Sequence, residues 1–412
     1  MSLKRWFGRW LATAEHRLER QRAEKRRAGP PPWRYPDPFT GELITPPDDG
    51  DRDRLAAAGL PVLSTLEDLS RATGLSWQRL LWLAAPSSAY AGGSPHYTFF
   101  TVPKARGEPR IILAPKPALK SVQRWILRNI LNRIPLADPV HGFRRGHGTR
   151  TNARVHCGKD VVATFDLEDF FHTVTYRRVR GLFRSLGYST ELSVLLGLLT
   201  TFRPAAFPYD YMRHVPTLVW LKSMSTARRS WRGHPTTPPF LPQGAPTSPA
   251  LSNLVARHLD RRLAGLARRL GAAYTRYADD LTFSGHAEFR HGLARFLPLV
   301  KRIVREEGFY LATGKQRIRR KGGRQVVTGV VVNRRTNVPR ETYRHLRVLL
   351  HKAAVHGPES VRLEPAAPTD PGVLRPHLEG WVAWVSHLNP ARGARLRRTF
   401  EAIAWPAPSG EA

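Results

Sequence analysis

Apolar positions recur at helical spacing in some stretches of this 412-residue chain and alternate or run together in others. Leu66, Leu69, Leu80, Leu81 and Leu83 give a helical pattern, and Leu119, Val122, Ile126, Ile130 and Ile134 line one side of a helix over residues 116–134. Between them residues 97–104 alternate like a strand. Arg106-Gly107-Glu108-Pro109 reads as a turn and residues 110–113 as the return strand. Further on, Val161-Val162-Ala163-Thr164-Phe165 is a strand-like run that delivers Asp166 at its end, and a helix is expected soon after it, with Asp169 as a possible cap. Residues 273–284 form two runs of Tyr, Thr, Leu and Phe around Asp279 and Asp280, a β-hairpin with the acidic pair at its tip. Gln243 opens a helix running through Leu251, Leu254, Val255, Leu259 and Leu263, with Thr247 or Ser248 as cap and Pro249 in the first turn. A helix over 288–306, a strand pair within 326–333 and helices beyond Pro339 complete the pattern.

Two stretches fit this pattern less simply. Residues 3–28 read as a basic helix, with Trp6, Trp10, Ala14 and Leu18 at four-residue spacing among many Arg and Lys, followed by a Pro-rich linker to residue 53. That helix is either a packing element with a solvated basic face or a contact for RNA or a partner. Residues 203–240 interleave Pro, Arg, His, Trp and Tyr; they suit stacking on unpaired bases as well as a loose surface insertion.

The carboxylates carry the chemistry. Adjacent Asp279 and Asp280 repel each other and resist burial. Alone they read as a solvated turn or as a cation site. With Asp166 from a neighbouring strand they become three oxygen-donor groups able to hold two Mg²⁺ for in-line phosphoryl displacement. Asp166, Asp279 and Asp280 are therefore the catalytic and metal-binding candidates.

Charge then names the class of partner. The chain has 66 Lys and Arg against 32 Asp and Glu, a formal net charge of +34, which favours a polyanion such as nucleic acid. A single cysteine, Cys157, leaves neither a disulfide framework nor a zinc site. No apolar run reaches the roughly 18 residues of a membrane span and the basic N-terminus lacks the apolar core of a signal peptide, so a soluble cytoplasmic protein with no membrane partner is expected.

Taken in order, Phe165-Asp166 with Phe170-Phe171, then Leu241-Pro242-Gln243-Gly244-Ala245-Pro246-Thr247-Ser248-Pro249, then Tyr277-Ala278-Asp279-Asp280, resemble the motifs of a reverse transcriptase. Asn152-Ala153-Arg154-Val155-His156 and Val327-Thr328-Gly329 resemble, within that family, the bacterial retron reverse transcriptases, and the resemblance covers residues 60–405. It implies an α+β right-hand polymerase. The fingers would span residues 54–160, the palm, a small antiparallel sheet backed by helices, residues 161–335 with the 203–240 insertion, and the helical thumb residues 336–412. The basic helical extension of residues 1–53 precedes them.

The same resemblance implies roles. Lys104 and Arg110 match basic positions over the incoming triphosphate. Phe171 matches the aromatic under the sugar that excludes a ribose 2′-hydroxyl, against a reading in which Phe170 and Phe171 are both core. Gln243 and Gly244 match nucleotide contacts. Asn152 and His156 inherit a link to the cognate RNA, against a helix cap and a core histidine; Val327, Thr328 and Gly329 match a primer-side contact, and Arg395 and Arg398 are available for phosphates. The implied activity is RNA-directed DNA polymerisation from deoxynucleoside triphosphates with two Mg²⁺. Template and primer would be a structured non-coding RNA primed at an internal guanosine 2′-hydroxyl. The product would be a branched RNA–DNA hybrid that stays bound, commonly in anti-phage defence with an effector protein. The alternatives are a group II intron or diversity-generating enzyme, although an obvious maturase domain after the thumb is not expected, and a non-catalytic RNA-binding scaffold.

Overall fold

The structure is a computed structural model that describes residues 48–84, 96–103, 109–202, 239–362 and 371–406. The basic helix read over residues 3–28, Lys104 and nearly all of the 203–240 insertion lie outside the described residues. The chain divides into two compact units, residues 1–135 with 171–255 and residues 136–170 with 256–412.

The first unit is helical around one short hairpin. Helix Leu66–Thr73 opens on a capping box between Thr65 and Asp68 and closes on Gly74 in the left-handed region. Strands β1 (Tyr97–Val102) and β2 (Arg110–Pro115) pair antiparallel from Tyr97 opposite Pro115 to Val102 opposite Arg110. The helix expected over 116–134 is Pro117–Asn129, followed by a tighter turn at Leu131–Arg133. Helix Thr190–Thr200 is apolar on every side and buried from Leu192 onward, which makes it the core element of this unit. Buried Gln123 donates to Tyr97 Oη (3.0 Å) and to the Leu199 carbonyl (2.9 Å), tying the root of the β1–β2 hairpin to that helix.

Two helix boundaries differ from the sequence pattern. The helix expected near Asp169 begins only at Tyr176. Asp169 instead sits at φ 48°, a conformation its short polar side chain tolerates in a turn. The apolar pattern over 243–263 is two helices, Ser248–Val255 and Arg257–Arg269, broken at Ala256. Leu251 and Leu254 belong to the first unit and Leu259 and Leu263 to the second, so one apolar periodicity serves two cores.

In the second unit β3 (Val161–Asp166), β4 (Ala273–Tyr277), β5 (Asp280–Gly285) and β6 (Arg317–Arg320) form an antiparallel sheet in the order β4-β5-β3-β6. Phe165, Phe283 and Phe296 stack edge to face beneath it, Phe296 coming from helix Ala287–Glu306. Hairpin β7 (Val326–Val327) and β8 (Val330–Val331) shares a continuous core with the last helices, Arg340–His356, Pro371–Leu388 and Pro390–Glu401, through Val327, Val330, Leu346, Leu378, Val382 and Phe400. Mixed helices and small antiparallel sheets make the fold class α+β. None of the described helices is long and apolar enough to cross a membrane.

Candidate active site

The sheet places the three carboxylates by register. Asp166, the last residue of β3, lies directly opposite Asp280, the first residue of β5. Tyr277 pairs with Asp280 across a two-residue loop, so Asp279 stands at the tip beside them. The Leu167 N–H donates to the Asp279 carbonyl at 2.9 Å, joining the end of β3 to that tip. Ala278 occupies φ 56°. The left-handed conformation costs a residue with a Cβ about 1 kcal/mol, so something must hold the loop. Gly142 packs against it so closely that an added Cβ would lie 2.4 Å from Ala278 N.

All three carboxylates are partly exposed, so they face a solvent-accessible surface. Desolvation, then the charges of Asp279 and Asp166, push Asp280 up to about 7, with Lys315 opposing. Lys315 Nζ lies 2.7 Å from Asp166 Oδ1, a cation already seated against the cluster. Among the described residues no three His, Cys, Asp or Glu side chains converge as a ready metal cage. The donor chemistry nevertheless suits a hard divalent cation: mutually repelling oxygen anions beside the Lys315 ammonium. Lys315 was hidden in the sequence within the basic run 315–324. Only its proximity to Asp166 singles it out.

Two of the RNA-contact residues expected from the resemblance require correction. Asn152 and His156 are fully buried, so neither side chain presents a surface to a nucleic acid in this structure. His156 Nδ1 lies 2.6 Å from Ser284 Oγ and its Nε2 2.7 Å from Thr275 Oγ1, which bridges β5 and β4 from behind the acidic loop. Burial, followed by the charges of His141 and Lys159, lowers His156 to about 3, so it is neutral. Asn152 Nδ2 donates to Thr328 Oγ1 at 3.4 Å, so the two retron-like motifs meet each other. The Val327 side chain is also buried, whereas Thr328 is half-buried and Gly329 exposed at the tip of the β7–β8 hairpin.

His156→Ala strands two buried hydroxyls and opens a cavity, and is expected to lower stability by about 2–4 kcal/mol. Urea unfolding measures the loss. RNA binding per folded molecule, followed by gel shift, should be unchanged. A depressed histidine pKa means that the unfolded chain binds the extra proton, so this contribution is present above about pH 6.5 and is lost as pH falls toward 3.

The remaining candidates lie on other elements. Arg110 is exposed at the start of β2. The Leu113 N–H donates to the Gln243 carbonyl at 2.6 Å. Gly244, at φ 112°, lies where a Cβ would meet Ile112 Cγ2 at 2.8 Å and the Leu113 carbonyl oxygen at 2.9 Å. The close approach that demands this glycine is thus made by β2. Phe170 is buried against Phe309, while Phe171 is half-buried. The two rings do not share one environment. Arg395 and Arg398 are exposed on helix Pro390–Glu401, opposite buried Leu396 and Phe400.

Comparison with known proteins accords with this geometry. The family of reverse transcriptases (RNA-dependent DNA polymerases) matches residues 102–326. The Retron Mx162 reverse transcriptase of Myxococcus xanthus is 39% identical over 381 residues, 87% of this chain and 72% of the relative. The Retron Mx65 reverse transcriptase of the same organism is 41% identical over 352 residues, 84% and 74% of the two chains. The Retron Ec86 reverse transcriptase of Escherichia coli is 30% identical over 346 residues, 83% and 90%. With a reverse transcriptase match over more than half its length and retron relatives aligned over most of it, the chain belongs to the retron reverse transcriptases, which are RNA-directed DNA polymerases.

Proposed function

We propose that this protein synthesises the DNA strand of a branched RNA–DNA hybrid, copying a cognate structured RNA from a primer that is an internal guanosine 2′-hydroxyl of that RNA. The observation that carries the reading is the register of Asp166 against Asp280 with Asp279 at the adjoining tip, in a retron reverse transcriptase. Two Mg²⁺ held by these carboxylates would lower the pKa of the attacking hydroxyl and neutralise charge on the departing pyrophosphate. Lys315 balances Asp166 in their neighbourhood. Arg110, with Lys104, steadies the triphosphate of the incoming deoxynucleotide; Gln243 and Gly244 contact the nucleotide. Thr328 and Gly329 offer the exposed hairpin tip to the primer side, and Arg395 and Arg398 offer cations to phosphates. The cytoplasm is the expected compartment. Anti-phage defence with an effector protein is the expected setting.

Phe171 is assigned the sugar-side position, and its partial exposure suits a ring that borders a ligand. Phe171→Ala is expected to reduce the preference for deoxynucleotides over ribonucleotides by at least about tenfold, read as the ratio of kcat/KM values. An unchanged ratio would remove Phe171 from the role.

The test of the whole reading is to express the gene with its flanking DNA in a heterologous bacterium and isolate small nucleic acids. A short DNA that survives ribonuclease and shifts in mobility after debranching is expected. Primer extension on generic RNA without such a DNA would leave the polymerase and remove the branched product. RNA binding with neither activity would favour a scaffold.

A further inference from the structure

Directly behind the acidic loop lies an ion pair that no catalytic role has yet used. Asp260, from helix Arg257–Arg269, and Arg276, from β4, have side chains with no exposed surface. The guanidinium holds the carboxylate through one edge, Nε to Oδ1 at 2.8 Å and Nη2 to Oδ2 at 2.7 Å. Tyr274 Oη donates to the same Oδ1 at 2.9 Å. The third guanidinium nitrogen, Nη1, donates to the Ala278 carbonyl at 3.1 Å, and the Arg276 Cζ lies 5.6 Å from the centre of the Phe170 ring.

A fully buried ion pair is a poor way to gain stability, because apolar residues of similar volume commonly serve as well. Apolar residues cannot donate to a backbone carbonyl. Nor can lysine replace this arginine, since one ammonium cannot fork a carboxylate and reach a third acceptor in fixed geometry. The Ala278 carbonyl belongs to the peptide that leads into Asp279, and Ala278 is the residue held at φ 56°. The next carbonyl, that of Asp279, accepts from Leu167, the residue after Asp166. Successive peptides of the loop are therefore pinned from two sides, one by Arg276 and one by the end of β3.

We propose that Asp260 and Arg276 are positioning residues for RNA-directed DNA synthesis. Asp260 orients the guanidinium, and the guanidinium sets the Ala278–Asp279 peptide so that the Asp279 and Asp280 carboxylates stand in one arrangement beside Asp166. Tyr274, hydrogen-bonded to Asp260, belongs to the same buried network. The inference rests on the assignment of Asp279 and Asp280 as catalytic.

The test uses the full-length protein and compares Arg276→Lys, the charge-free pair Arg276→Met with Asp260→Leu, Val300→Ala and Asp279→Asn. Amide hydrogen exchange across residues 278–281 and at Leu167 reads the loop without reference to activity. Arg276→Lys and the charge-free pair should exchange at least about tenfold faster there and lose about a hundredfold in kcat, with template–primer affinity unchanged. Val300→Ala, a cavity in the buried face of helix Ala287–Glu306, should melt lower, but its kcat per folded molecule and its loop exchange should match the wild type. Wild-type kcat per folded molecule in Arg276→Lys, with unchanged exchange, overturns the inference. An equal loss in Val300→Ala also overturns it, because the effect is then general destabilisation. Where the charge-free pair fails to fold, Arg276→Lys below its melting temperature decides. Retained synthesis in Asp279→Asn sinks the catalytic assignment itself, an outcome separate from any result at Arg276.

Discussion

Replacing Asp279 and Asp280 together by Asn is expected to lower primer extension on RNA by at least about a thousandfold. The amides keep the volume of the carboxylates, so the register that sets position 280 opposite Asp166 should persist. What disappears is the anionic oxygen set beside Asp166. RNA binding should change by less than about twofold, because backbone binding draws on Lys and Arg spread over a chain of net charge +34. Stability should move against activity. Asp280 titrates at about 7 in the folded protein against an ordinary 3.8, so between those values the folded state holds a proton that the unfolded chain has lost. A carboxyl shifted upward in this way weakens the fold progressively as pH rises from about 4 to about 7, and the penalty is complete above that. In chelating buffer the double variant should melt above the wild type at pH 8. The gap should close at pH 5, where Asp280 is already protonated. Loss of RNA binding in step with activity, or a lower melting temperature at pH 8, would identify the pair as structural.

Gly142→Ala is expected to cost about 2–3 kcal/mol of stability and about a hundredfold in extension rate. The added Cβ would lie 2.4 Å from Ala278 N, 3.0 Å from Tyr277 C and 3.1 Å from Tyr277 Cα. All three atoms are backbone, with no flexible side chain to swing aside. The acidic loop must therefore move, and a shift of about 1 Å at a reacting group is enough for such a loss. Gly265→Ala is the matched control in the same unit. Nothing lies within 4 Å of its new Cβ, and helix propensity should add about 0.5–1 kcal/mol. Urea unfolding and single-turnover extension measure both variants. A Gly142→Ala enzyme that extends at the wild-type rate would show that the position of the loop does not limit the chemistry.

The strands around the carboxylates were legible because their signals are local. An apolar run that ends on Asp166 and a hairpin that turns at Asp279 each lie within about a dozen residues. The helix start misplaced at Asp169 and the helix read straight through Ala256 share a cause. Propensity reports what a segment tolerates, while packing chooses where it turns. Asn152 and His156 went astray for a related reason. A family pattern says that two residues matter without saying which way they point, and here both point inward, onto Thr328 and onto the hydroxyls of Thr275 and Ser284. Phe170 and Phe171 are identical letters side by side, and burial alone separates them.

The sequence by itself determined the net charge that favours a polyanion, the order of the motifs and the three candidate carboxylates, because charge and short-range patterning are written along the chain. Only the tertiary structure decided how those carboxylates are held and compensated. Lys315 reaches Asp166 across 149 positions, and Asp260 grips Arg276 from a different element sixteen positions away. An ion pair exists only where packing brings its partners within hydrogen-bonding distance and removes water from between them. No periodicity along the chain encodes that meeting.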